Sequence, residues 1–292
     1  MKKVGVIGLG IMGSAYSKNL ISAGVSVMGC DPSAAARERL SALGGISYSN
    51  LGDWLRECDL IVLSLISPSV LHSVCEDLRR FLPSGSVVLE TGTFSLADKL
   101  EAFECLSSDG ITLLDCPVSG TGAQAAERDI LMMASGDDKA IEHALPYISL
   151  FTKSVIRAGA FGMGTKLKFV ANHAVALHNV AAAEVLNYSN ALGLDPEVTY
   201  NMLSNGAGNS KMLELRMPLM ISGKYEPPTA TLKMFEKDLS IIGDDLAQLE
   251  VTAPMFEVVK SMYEAASRTL PETHDTASVF KVYKSSNTKV QK

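Results

Sequence analysis

A short apolar strand, Val4-Gly5-Val6-Ile7, runs without a spacer into Gly8, Gly10 and Gly13, and helix-forming residues follow at once. Strand, glycine turn and helix in that order leave little choice of fold. Gly8 permits the tight turn, Gly10 lets backbone approach a pyrophosphate, and Gly13 lets the helix pack closely on the strand. The open N–H groups at the helix start, reinforced by the helix dipole, then face the phosphates. The segment Gly8-Leu9-Gly10-Ile11-Met12-Gly13 therefore reads as a dinucleotide-binding loop.

Beyond it, Ser14 to Ala23 reads as helix stopped by Gly24, and Val25 to Cys30 as a second strand ending at Asp31. An acidic residue about 20 positions past the glycines suits a ribose hydroxyl. Asp31-Pro32-Ser33 equally suits the turn and N-cap of a helix running to Leu43, and the two uses are compatible. No Lys or Arg follows until Arg37, so a ribose 2′-phosphate would meet a carboxylate with no basic neighbour in sequence. NAD is the expected cofactor, with NADP the alternative.

With 292 residues, 47% of them hydrophobic, the chain can bury a large core and is long enough for two domains. A formal net charge of −6 argues against sequence-independent binding of nucleic acid, which rests on clustered Lys and Arg. No apolar run approaches the roughly 20 residues of a membrane span, and a strand starting at Lys3 leaves no room for a signal peptide. The expectation is a cytoplasmic protein acting on small molecules. Cys30, Cys58, Cys75, Cys105 and Cys116 are scattered and odd in number, the usage of a reducing compartment, and each reads as a buried small hydrophobe.

From Lys2 to about Arg157, apolar runs at Asp59–Leu65, Ser86–Glu90, Ile111–Asp115 and Ile130–Ala134 alternate with helical stretches. Continuous apolar runs of this kind are strands buried on both faces of a mainly parallel sheet. The fold class is α/β: an N-terminal Rossmann-type doubly wound domain over 1–161, with ligands sought beyond the carboxyl ends of its strands. Past Gly162-Met163-Gly164, which reads as a hinge, the character changes. Lys166 to Leu192 holds no Gly or Pro and predicts one long interdomain helix ended by Gly193. Further helices are expected around Pro196–Leu203, Ser210–Ser222, Leu232–Glu250 and Pro254–Ser267, making 162–292 an all-helical second domain with a frayed polar tail after Lys284.

Four segments now stand in order: the glycine loop with Asp31, Asp115-Cys116-Pro117-Val118-Ser119-Gly120-Thr121-Gly122, the pattern Gly162-x-Gly164-x-x-x-Lys168-x-x-x-Asn172, and Lys237-Asp238-Leu239. Together they resemble the β-hydroxyacid dehydrogenases, the group that includes 3-hydroxyisobutyrate dehydrogenase and tartronate semialdehyde reductase. The resemblance spans nearly the whole chain. It implies NAD(P)-dependent interconversion of a small anionic β-hydroxyacid and its oxidised partner, by a homodimer or homotetramer. It also implies that Lys168 is the catalytic lysine and that Asn172 helps hold the substrate. Residues four apart share one helix face, about 5–6 Å between Cβ atoms, so one small substrate can touch both. Loss of hydride from an alcohol also requires loss of its hydroxyl proton, which assigns Lys168 the part of general acid/base.

By the same resemblance Ser119, Gly120 and Thr121 take the substrate carboxylate, with Thr121 replacing a usual third glycine and offering a hydroxyl instead. Lys237 falls on the nicotinamide side and attracts an anionic substrate. Leu65, Ile66 and Thr93 match further cofactor positions, although Gly92 stands where a serine is frequent. Ser210 reads as a helix cap. His173 and His178 are five residues apart and point to different faces, so no metal is implied.

Two rival readings remain once two relatives are set aside. The related 6-phosphogluconate dehydrogenases carry a histidine and a glutamate after the lysine where this chain has Ala171 and Val175, and imine reductases replace the lysine. A reductase of glyoxylate or succinic semialdehyde using NADPH, and a dinucleotide-binding scaffold without turnover, are the alternatives carried forward.

Overall fold

The computed structural model describes residues 2–283, so the expected frayed tail after Lys284 lies outside the described residues. The chain divides into two compact units, Met1–Lys168 and Phe169–Lys292.

The first unit runs β1 (Lys3–Ile7), α1 (Ile11–Ser22), β2 (Ser26–Cys30), α2 (Ala34–Ala42), β3 (Ile46–Tyr48), β4 (Leu60–Leu63), α3 (Pro68–Phe81), β5 (Val87–Glu90), α4 (Leu96–Ser107) and β6 (Thr112–Asp115). It continues with β7 (Val118–Ser119), α5 (Gly122–Ala126), β8 (Leu131–Ser135), α6 (Asp138–Ile148), β9 (Ser154–Gly159) and the start of α7 (Met163–Ala191). The strands form one sheet in the order β3-β2-β1-β4-β5-β6-β8-β7, with β9 paired to β8. Pairs from β3 through β6 are parallel, in registers such as Val6↔Val62 and Leu89↔Leu114. This is the doubly wound arrangement expected from the apolar runs.

Its far edge departs from that expectation. β8 runs antiparallel to β6 and β7, and β9 returns parallel to β8. The sheet is buried on one side by a cluster around Val4, Tyr16, Leu20 and Phe151, and on the other by one around Leu55, Ile61, Leu78 and Phe94.

Local chemistry sets the helix starts. Ser33, Ser67, Ser95 and Asp137 each accept a backbone N–H in the first turn of the helix that follows, and such caps contribute about 1 kcal/mol each. Of the five cysteines, Cys30, Cys75 and Cys116 are buried as expected, but Cys58 and Cys105 are only partly covered. Burial pushes the Cys30 thiol up to about 11 and those of Cys58 and Cys75 up to about 12, which keeps them protonated at neutral pH.

The second unit contains the rest of α7, then α8 (Pro196–Ser204), α9 (Lys211–Ser222), α10 (Leu232–Gln248) and α11 (Pro254–Thr269). Its core gathers Ala176, Leu186, Met217, Leu239, Phe256 and Tyr263. Ser210 caps α9 through the Leu213 N–H at 3.1 Å. A buried ion pair ties α9 to the chain's later turns: Arg216 donates to both oxygens of Asp275 at 3.0 and 2.8 Å, and Asp275 also accepts from Thr229. The long helix has 29 residues and starts earlier than Lys166, because the segment expected to hinge is its first turn. No helix among the described residues is long and apolar enough to cross a membrane.

Candidate active site

At the carboxyl end of β1 the three glycines do three different things. Gly8 has φ +89°, and a Cβ there would stand 2.2 Å from the Ser64 carbonyl oxygen. A Cβ on Gly13 would stand 1.9 Å from the Gly8 oxygen. Over Gly10, by contrast, a Cβ would meet nothing within 4 Å. The first two are therefore glycines because the protein's own backbone is close, and Gly10 leaves open space at the start of α1. That is where a phosphate belongs, and the residues present fit a dinucleotide. Leu9 is buried under the loop, Met12 is half-covered, and Ile11 and Ile66 stand 71% and 84% exposed. Such bare apolar side chains suit the carbon surface of a bound cofactor.

Asp31, at the end of β2, makes the turn expected of it. One carboxylate oxygen accepts the Leu9 N–H at 2.7 Å and the other accepts the Ser33 N–H at 2.8 Å, fastening the glycine loop to the turn before α2. Arg37 is nearer than its place in sequence implies. Its Nη1 donates to the carbonyls of Asp31 and Pro32, each at 2.8 Å.

Ser119 and Gly120 follow β6 on the far side of the sheet, Ser119 half-buried and Gly120 exposed. Gly120 has φ +141°, and a Cβ there would press on Ile130. A Cβ on Gly122 would lie 2.2 Å from Ile11, so this segment packs against the dinucleotide loop. Thr121 is bonded within its own turn. Its hydroxyl accepts the Gln124 N–H at 3.3 Å, while Gln124 Oε1 accepts the Thr121 N–H at 3.0 Å, a reciprocal cap on α5. The hydroxyl is already engaged within the protein.

Beneath the first turn of α7 lies a buried charged cluster that sequence reasoning missed. Lys99 of α4, Glu90 at the end of β5 and Asp115 at the end of β6 are all 0% exposed. Lys99 Nζ donates to Asp115 Oδ1 at 2.7 Å and to the Gly92 carbonyl at 2.8 Å, and lies 2.6 Å from Glu90 Oε2. Burial alone would push the Lys99 ammonium down, but Asp115 and Glu90 outweigh it and hold the group above its ordinary range. It stays charged at any neutral pH, and its contribution to stability is lost only in strong alkali. Replacing Lys99 with Met leaves two buried carboxylates without a counter-ion, and urea unfolding should show a loss of about 3–5 kcal/mol.

Lys168 is half-buried on α7, one turn past Thr165. One turn further along the same helix, Asn172 is buried and donates to Asp238 Oδ2 at 2.9 Å. Asp238 Oδ1 lies 3.2 Å from Lys237 Nζ. The second unit therefore brings Asn172 and Lys237 to one carboxylate, that of Asp238, which the sequence displayed only as part of a motif. Leu65 and Thr93 are half-buried in the segments after β4 and β5. A surface depression of about 610 Å³ bordered by Arg128, Asp129 and Lys153 includes none of these residues, and its Lys153–Asp129 ion pair is internally matched.

Residues 3–159 match the family described as the NAD binding domain of 6-phosphogluconate dehydrogenase, and residues 162–283 the NAD-binding family of NADP-dependent 3-hydroxyisobutyrate dehydrogenase. The chain belongs to the β-hydroxyacid dehydrogenase family. As a β-hydroxyacid dehydrogenase it is an NAD(P)-dependent oxidoreductase. It is 29% identical over 285 residues to an L-threonate dehydrogenase of Escherichia coli O6:H1, which spans 96% of this chain and 94% of the relative. The L-threonate dehydrogenase of Haemophilus influenzae is 30% identical over 285 residues, again 96% and 94%. A crystal structure of 3-hydroxyisobutyrate dehydrogenase from Salmonella typhimurium matches with a TM-score of 0.87 at 28% identity, covering 97% of this dehydrogenase and 100% of that chain.

Proposed function

We propose that this dehydrogenase oxidises a small β-hydroxyacid of the threonate, 3-hydroxyisobutyrate or tartronate semialdehyde kind with NAD, using Lys168 as the general acid/base. The supporting observation is positional. Lys168 and Asn172 sit one turn apart on a helix whose first turn is bonded to Asp115 at the carboxyl end of β6, the end of the sheet that carries the dinucleotide loop. NAD, when bound, supplies the hydride acceptor. The neutral Lys168 amine takes the hydroxyl proton as the carbinol carbon gives up hydride, and in the reverse direction the ammonium returns it to the carbonyl oxygen. Asn172, oriented by Asp238, holds the substrate oxygen. Ser119 and the Gly120 backbone receive the carboxylate, with Lys237 adding attraction for an anion. Thr121 acts by shaping that turn.

A panel of 3-hydroxyisobutyrate, glycerate, threonate and serine, run with NAD and with NADP, tests the reading. Turnover of at least one acid supports it. Binding of NAD without reduction across the panel contradicts it and returns the scaffold alternative.

Asp31 supports the preference for NAD, since a carboxylate at the end of β2 suits a ribose hydroxyl and repels a 2′-phosphate. The preference should be at least about tenfold in kcat/KM, and Asp31→Asn should narrow it by about tenfold, because the substitution removes the charge that repels the phosphate. An unchanged ratio would show that selectivity lies elsewhere.

Self-association is part of the same proposal. Val170 and Tyr188 on α7 are exposed, an apolar surface consistent with a dimer or tetramer. Sedimentation equilibrium should give a multiple of the 31.1 kDa chain.

A further inference from the structure

The Glu90–Lys99–Asp115 cluster is larger than stability alone explains. Replacing a buried ion pair with apolar residues is often neutral or stabilising, so such a cluster is weak as a stability device. Its connections point elsewhere. Asp115 Oδ2 accepts the Thr165 N–H at 2.7 Å and the Ser135 hydroxyl at 3.1 Å, and Asp115 Oδ1 accepts the Thr165 hydroxyl at 2.8 Å beside Lys99. Ser135 Oγ in turn accepts the Gly164 N–H at 2.9 Å. Two of the N–H groups that every helix leaves unpaired at its start are thus taken by the sheet, and the negative charge sits at the positive end of α7.

The approach is close as well as polar. A Cβ on Gly164 would stand 2.5 Å from the Met133 oxygen and 2.8 Å from the Asp115 oxygen. The Gly162-Met163-Gly164 segment is therefore a packed joint. Lys99 works in a second direction through the Gly92 carbonyl, with Glu90 Oε1 accepting the Gly92 N–H at 2.7 Å. Gly92 precedes Thr93. One buried amine accordingly holds both the loop bearing an expected cofactor contact and the carboxylate that anchors α7.

We infer that Lys99, Glu90, Asp115 and Thr165 are positioning residues of the active site: they fix the rotation and height of the first turn of α7 on the sheet, and so where Lys168 presents its amine. This rests on the acid/base reading of Lys168. A helix rotates about 100° per residue, so a slip of one position at Thr165 turns Lys168 away from its target. A displacement near 1 Å can cost about 100-fold in rate.

Lys99→Met strands two carboxylates and destabilises the whole fold, so Thr165→Val carries the test. It deletes one donor to Asp115 at nearly constant volume and keeps the backbone N–H. With the full-length enzyme, kcat should fall about 10- to 100-fold while the dissociation constant for NAD, read by fluorescence titration, stays within about twofold. The primary deuterium isotope effect on kcat, using substrate labelled at the carbinol carbon, should rise, and Thr165→Ser should restore both values. A merely structural residue would lower the folded fraction and leave the isotope effect alone. Wild-type kcat and isotope effect in Thr165→Val, or a loss that Thr165→Ser does not repair, overturns the inference. Lys168→Ala is measured alongside. If it stays active, the acid/base reading falls and takes this inference with it; if it is dead while Thr165→Val matches wild type, only this inference fails.

Discussion

Lys168→Ala should reduce kcat by about 100- to 10,000-fold, the range that a positioned general acid/base contributes. Its affinity for NAD should remain within about twofold of wild type, because the amine acts on the substrate hydroxyl. Kinetics and binding must therefore separate. Equal loss of both would instead place Lys168 among the cofactor contacts. Ethylamine added to the variant should restore part of the turnover in proportion to its concentration. No such rescue is expected for Asn172→Ala, which removes a hydrogen-bonding group and no titrating amine.

The second large effect concerns the glycines. Gly13→Ala places a methyl 1.9 Å from the Gly8 carbonyl oxygen, a backbone atom that cannot turn aside. The loop must shift, at a cost of about 1–3 kcal/mol or more, which should lower Tm by several degrees and abolish measurable NAD binding. Gly10→Ala should behave in the opposite way. Its φ of −68° is open to alanine and a methyl there meets nothing within 4 Å, so the Tm of the ligand-free protein should hold. NAD affinity should nonetheless drop by more than about tenfold, or about 1.4 kcal/mol, because the methyl enters the space assigned to the pyrophosphate. A Gly10→Ala protein with full affinity would show that the open space is not the phosphate site.

The parts of this architecture that were readable from sequence share a cause: they are specified locally. Strands β1, β4, β5 and β6 are continuous apolar runs, and the glycine spacing names its own turn. The family motif brought Lys168 and Asn172 to notice through spacing on one helix. What was missed depends on partners distant in the chain. β7 is two residues long and β9 has only exposed and half-covered positions, so neither shows a buried apolar run. Lys99, set in Asp98-Lys99-Leu100-Glu101, looks like a solvated helix lysine. Only the fold brings Asp115, sixteen residues on, to its ammonium.

The start of α7 was misjudged for a related reason. Gly162 and Gly164 suggest looseness when read alone, whereas Gly164 is small because the helix rests on the carbonyls of Met133 and Asp115. Asp238 was hidden in the same manner, since its contact with Asn172 spans 66 residues. Thr121 was visible as a departure from the family pattern, but whether its hydroxyl faced outward or closed a cap on Gln124 needed the backbone path of α5.

The most direct trial of the account is NAD reduction by wild type and Lys168→Ala, side by side, over the four hydroxyacids. Wild type should form NADH with at least one of them, and the variant should lose at least about 100-fold at undiminished NAD binding, with partial return on adding ethylamine. Comparable rates from the two proteins would contradict it.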